Sequence, residues 1–179
     1  MKSKSLIFIF LLFVFSSSKT FSCDCIPFTL KELQKISYED SELIFVADAK
    51  LLDRRNGAFK LIIIEQFKGK TESDTLKIIP DNSCSLFLES GRWLIYADVT
   101  DDGTILIDAC GPTRSFRDPH LVRVKDYDRY PPPRGELKSG SEEVDYSLRA
   151  AKHELKLREK AIQDLEEEIK WLREKNGNK

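Results

Sequence analysis

Two cysteines one residue apart, closed off by a proline, form the stretch of this chain best suited to chemistry: Cys23-Asp24-Cys25-Ile26-Pro27. A peptidase cut between Ser22 and Cys23 would leave a cysteine as the mature terminus, and half-cystines at 23 and 25 would tether that terminus at two points. The remaining cysteines are Cys84 and Cys110. Four cysteines in an exported chain read most simply as two disulfides, with three pairings open. Each long loop so closed contributes about 2–4 kcal/mol in the chain-entropy account. A redox-active or metal-binding C-x-C would need a histidine or third cysteine close by, and neither is near. His120 and His153 stand far apart, in linker and helix contexts, and read as solvated. No paired carboxylates, nucleophile elbow or phosphate-binding glycine loop stands out, so the expectation is a protein that is not an enzyme and carries no cofactor.

The cut itself is expected from what precedes it. Lys2 and Lys4, the apolar run 6–15 and the small, polar stretch 16–22 have the three-part plan of a secretory signal, residues 1–22. The run is too short to cross a bilayer, which takes about 20 residues. Thr20 and Ser22 suit an ordinary signal peptidase, whereas a lipoprotein signal would favour Leu three residues before the cysteine. A secreted, periplasmic or extracellular protein follows, with no transmembrane segment in the mature chain; a lipid on Cys23 is the alternative. The formal charge of −1 becomes slightly more acidic once Lys2, Lys4 and Lys19 leave with the leader, so no field attracts nucleic acid.

The elements that must position the terminus begin with a capping box, Thr29-Leu30-Lys31-Glu32, opening a short helix over 30–36. Strand patterns follow at 43–51 and 59–67, joined through Asn56-Gly57, a strong hairpin signal in which both positions tolerate positive φ. Further strands fit 75–79, 92–99 and 104–109, the last after the turn at Asp101-Asp102-Gly103. Trp93, Tyr96 and the run Ile62 to Ile64 read as core. Five strands with one short helix point to a small barrel rather than a sandwich of about seven strands.

The run Cys23-Asp24-Cys25-Ile26-Pro27, Phe45-Val46-Ala47, Phe67-Lys68-Gly69, the isolated Cys84, the strand Gly91-Arg92-Trp93-Leu94-Ile95-Tyr96-Ala97 and the exit Cys110-Gly111-Pro112-Thr113-Arg114 together resemble the netrin-like domain of tissue inhibitors of metalloproteinases. The resemblance spans residues 23–116. It implies a five-stranded OB-fold barrel, mainly β, with Cys23 paired to Cys84 and Cys25 to Cys110. It also implies a binding site at Cys23 and Asp24, in which the α-amine and carbonyl oxygen of Cys23 chelate a partner protease's zinc and displace its water. An α-amine with a pKa of about 7.7 can be neutral and offer its lone pair. The chain differs in placing the charge of Asp24 where the inhibitors enter a specificity pocket, and in lacking their third disulfide and cysteine-rich second domain.

Beyond the barrel, residues 117–140 read as a linker containing Pro131-Pro132-Pro133, which cannot be helical. Residues 141–176 read as a long helix after a second capping box at Ser139 and Glu142. Its apolar positions Val144, Leu148, Ala151, Leu155, Ile162, Leu165, Ile169 and Leu172 keep 3-4 spacing, broken at Arg158. Such a stripe either packs back on the barrel or pairs with another copy, and a four-heptad seam favours self-association over 144–172. Two function classes follow: a secreted binding module resembling metalloproteinase inhibitors, with a metalloprotease as protein partner, and a non-inhibitory surface or envelope structural protein oligomerised by its coiled coil. Thiol exchange at the C-x-C is a third, weaker class.

Overall fold

The computed structural model describes residues 25–78, 80, 84–101, 103–133, 135 and 140–177. The expected leader, Cys23, Asp24 and the expected N-cap Ser139 lie outside the described residues.

Helix α1, Leu30–Asp40, starts at the expected capping box: the Glu32 amide donates to Thr29 Oγ1 at 3.3 Å, and the Thr29 amide donates back to Glu32 Oε2 at 2.9 Å. It runs four residues further than expected because its last turn has tertiary partners. Tyr38 meets Trp171 edge-on at 4.9 Å, and Lys68 Nζ donates to Tyr38 O and Glu39 O, a cation on the carbonyl end of the helix.

Strands β1, Leu43–Asp53, and β2, Ala58–Lys68, form the expected antiparallel hairpin. Its turn is longer than a two-residue loop, and of the pair Asn56-Gly57 only Gly57 takes a positive φ, +65°. Asn56 instead accepts the Ala58 amide on its own side chain at 3.0 Å. Then come β3, Thr75–Ile78, β4, Gly91–Val99, β5, Ile105–Leu106, β6, Arg114–Ser115, a 3-10 turn at Pro119–Leu121, and helix α2, Gly140–Gly177.

The strands make an open antiparallel sheet in the order β3-β2-β1-β4-β5, with β6 paired to β4. The fifth strand is shorter than expected because the chain changes partner after Leu106. The Leu86 amide bonds Ile107 O at 2.8 Å, and Ser85 bridges Asp108.

Alternation along the strands separates two cores. Phe45 and Ala47 of β1, Leu61 of β2, Ile78 of β3, Ile95 of β4 and Ile105 of β5 belong to one cluster on one face of the sheet. Ile44, Val46, Leu94 and Tyr96 point the other way and pack with Leu165, Ile169 and Leu172 of α2. Tyr96 is therefore core, but beneath the helix. Of the run read as core, Ile63 packs at the margin of the first cluster and Ile64 is 48 % exposed.

Residues 117–130 do not act as a spacer. Val124 and Tyr127 are buried with Leu30 and Leu33 of α1 and Leu157 and Ala161 of α2. His120 is buried too, with Nε2 against Glu154 of α2, rather than solvated; partly buried His153 donates to Asp128 O at 2.7 Å. The carboxyl half of α2 thus packs on its own sheet. Val144, Leu148, Ala151 and Leu155 remain exposed on the amino half, and Ile162 is still open at the junction.

Candidate functional site

Of the four expected half-cystines, Cys25 and Cys110 are bonded to each other, with Cα atoms 5.3 Å apart and a sequence separation of 85. Cys84 is also disulfide-bonded; the expected pairing of Cys23 with Cys84 rests on a residue outside the described ones, as does the placement of Asp24. Cys84 and Cys110 come to one end of the sheet because their segments pair: the Ala109 amide donates to Cys84 O at 2.9 Å. The segment leaving Cys25 is held at further points. Lys125 N–H donates to Phe28 O at 2.8 Å, and the Leu30 amide donates to Asp126 Oδ2 at 2.7 Å. Residues 25–30 are thereby fixed at both ends, by a disulfide and by the 125–126 segment.

Next to this anchor lies a cavity of about 350 Å³, whose wall includes Ala109 and Gly111 on either side of Cys110. Its lining combines Phe87 and Leu121, which are 61 % and 58 % exposed, with Arg114, Arg117, Arg123 and Arg129. Arg123 Nη1 lies 3.8 Å from Cys25 Sγ, which joins cavity and anchor directly. Trp93 borders the same space, its indole N–H donating to Glu89 O at 2.8 Å. Arg117 is paired with Glu89 and Asp118, and its hydrogen bond, with Arg158 and His120 nearby, holds the Asp118 carboxyl below the usual range.

On the far side of Arg114 is a polar cluster that the sequence reading passed over. The Arg114 guanidinium pairs with Glu168 of α2, and both side chains are almost wholly buried. Tyr96 donates its hydroxyl to Glu168 Oε1, Gln34 Nε2 donates to Oε2 at 2.7 Å, and Arg114 Nη1 donates to Pro112 O at 3.1 Å. Burial, reinforced by the carboxylate, pushes the Tyr96 phenol well above its ordinary range. Tyr127, donating to Asp164 Oδ2 at 2.8 Å, is pushed the same way for the same reasons. The sequence did carry a signal for Glu168. It is the one acid on the 3.6-period face Leu157-Ala161-Leu165-Leu172, which the 3-4 reading divided.

A larger groove of about 750 Å³ runs between α1 and α2, with Gln34, Lys35 and Trp171 in its wall. It is a helix–helix seam whose charges are partly matched within it, as Lys160 with Asp164 at 3.7 Å. The cavity beside the Cys25–Cys110 disulfide is smaller but combines exposed apolar and cationic surface, so it is the better candidate.

Neither protein-family models nor curated proteins match this chain. No helix among the described residues is long and apolar enough to cross a membrane.

Proposed function

We propose that this chain is an exported binding module, resembling the metalloproteinase inhibitors, whose working part is the anchored amino terminus. Cleavage after Ser22 would free Cys23, and its α-amine and carbonyl oxygen would chelate the zinc of a partner protease. The observation that carries this reading is the Cys25–Cys110 disulfide, which fixes the chain two residues behind that terminus. Rigidity matters because a preorganised chelator loses little conformational freedom on binding. The exposed Ile26, Phe87 and Leu121 provide apolar contact surface around it.

The barrel belongs to this proposal. Its supports are the strand order, which leaves β3 and β5 as the ends to be joined, and the shared cluster containing Ile78 of β3 with Ile105 of β5. The pairing of 84–86 with 107–109 brings the chain after β3 onto the chain after β5, a contact that a closed barrel would need.

The test is inhibition of a panel of zinc metalloproteases by protein processed to Cys23, compared with protein carrying one extra alanine ahead of it. Inhibition by the first and at least a hundred-fold weaker inhibition by the second is expected. Equal activity of the two, or none in either, rejects chelation.

A second reading, a surface or envelope protein assembled through its helix, is favoured by one observation. Val144, Leu148, Ala151 and Leu155 form an exposed 4-3-4 stripe on α2, with Ile162 seven residues further on.

A further inference from the structure

The cavity beside Cys110 carries more cationic hydrogen-bonding capacity than the protein itself satisfies. Arg117 has Glu89 and Asp118, and Arg114 has Glu168. Arg123 and Arg129 have no carboxylate partner among the described residues; Arg123 reaches only the Cys25 sulfur. Arg114 is 98 % buried in the cavity wall, and its Nε–H has no acceptor among the described residues.

The chemistry of the lining selects the guest. Guanidinium groups offer planar pairs of donors that match a carboxylate. Phe87, Leu121 and Trp93 give the lining an apolar part beside Glu89, Asp118, Thr113 and Ser115, which suits a carboxylate carried on hydrocarbon and flanked by an apolar side chain. A strongly hydrated polyanion would leave that apolar part unmatched. The position, in contact with Cys25, makes the guest part of whatever the anchored terminus meets.

We propose that this cavity receives an Asp or Glu side chain, next to an apolar residue, from an extended segment of a protein partner. The inference rests on the reading of the anchored terminus as the partner-binding face, but not on zinc chelation. Arg123 and Arg129 supply the attraction, and Phe87 and Leu121 the apolar contact. The two arginines also discriminate against partners with a basic or amide residue at that place.

The experiment measures fluorescence anisotropy of labelled, acetylated and amidated peptides, LELEF and its amide counterpart LQLQF, on the full mature protein. The acidic peptide is expected to bind about ten-fold more tightly, with the ratio shrinking as ionic strength rises from about 0.05 to about 0.5 M. Arg123→Gln and Arg129→Gln, exposed substitutions that leave the fold intact, are each expected to bring the ratio down several-fold. Lys152→Gln, on the exposed surface of α2, serves as the control and is expected to leave it unchanged. Equal affinity for the two peptides, no binding of either, or a ratio unaffected by both arginine substitutions overturns the proposal. Acetylating the Cys23 amine separates the two ideas: peptide binding that survives while inhibition disappears supports this site. Protease inhibition without any preference for the acidic peptide rejects the site and leaves chelation standing.

Discussion

At position 168 a glutamate stands on a helix face otherwise made of Leu157, Ala161, Leu165 and Leu172, and it is as buried as they are. A carboxylate tolerates that place only because Arg114, Tyr96 and Gln34 all donate to it. Arg114→Leu or Glu168→Leu alone leaves the other charge buried and unpaired, and is expected to destabilise the protein by about 3–5 kcal/mol. The double substitution should cost far less than the sum, because no orphan charge remains. Urea unfolding of the four proteins gives the coupling; additive losses would show that the pair does not act as a unit.

Between α1 and the sheet, the elements depend on one backbone position. Gly69 ends β2 with φ +76°, and a Cβ there would lie 2.3 Å from Glu42 O and 2.6 Å from Leu43 Cδ2. Both the left-handed conformation and the clash with main chain oppose any side chain. Gly69→Ala is expected to lower stability by about 2 kcal/mol or more and to loosen the start of β1, read as faster amide exchange at Ile44 and Phe45. The hairpin, the capping box and four strand positions were legible in sequence because each depends on neighbours in the chain. The extra turn of α1 and the shortening of β5 were not, since Lys68, Trp171 and the 84–86 segment that decide them are distant in sequence.

In the whole molecule, α2 divides its length between two tasks. Its carboxyl half covers the second face of the sheet and is fastened by Arg173, whose Nε and Nη2 each donate to Glu65 at 2.8 Å. Its amino half rests on residues 117–133 through Tyr146, His153 and Glu154, leaving the Val144-Leu148-Ala151-Leu155-Ile162 stripe on a different side. The 3-4 pattern over 144–172 is therefore two surfaces in series, the second of them covered by the chain itself. If the first is a self-association seam, Leu148→Glu with Leu155→Glu will convert an oligomer to monomer in sedimentation equilibrium. The melting temperature of the monomer should stay within about 2 °C, because exposed changes away from packed sites shift stability little. A wild-type protein that is monomeric throughout would reject the seam.

The sequence by itself determined four of the strands, the hairpin, the α1 cap, the presence of a long amphipathic helix and the half-cystines Cys25, Cys84 and Cys110. These follow from side-chain type and local spacing, which act over a few residues. Tertiary structure decided that α2 folds back, that residues 117–130 are a packed layer, that His120 is buried, and that Arg114 meets Glu168 across 54 residues. It also assembled the arginine-lined cavity from four separated segments around Cys110. Such pairings depend on which surfaces meet when apolar area is buried, and a 3-4 stripe looks the same whether it is covered by its own sheet or by another helix.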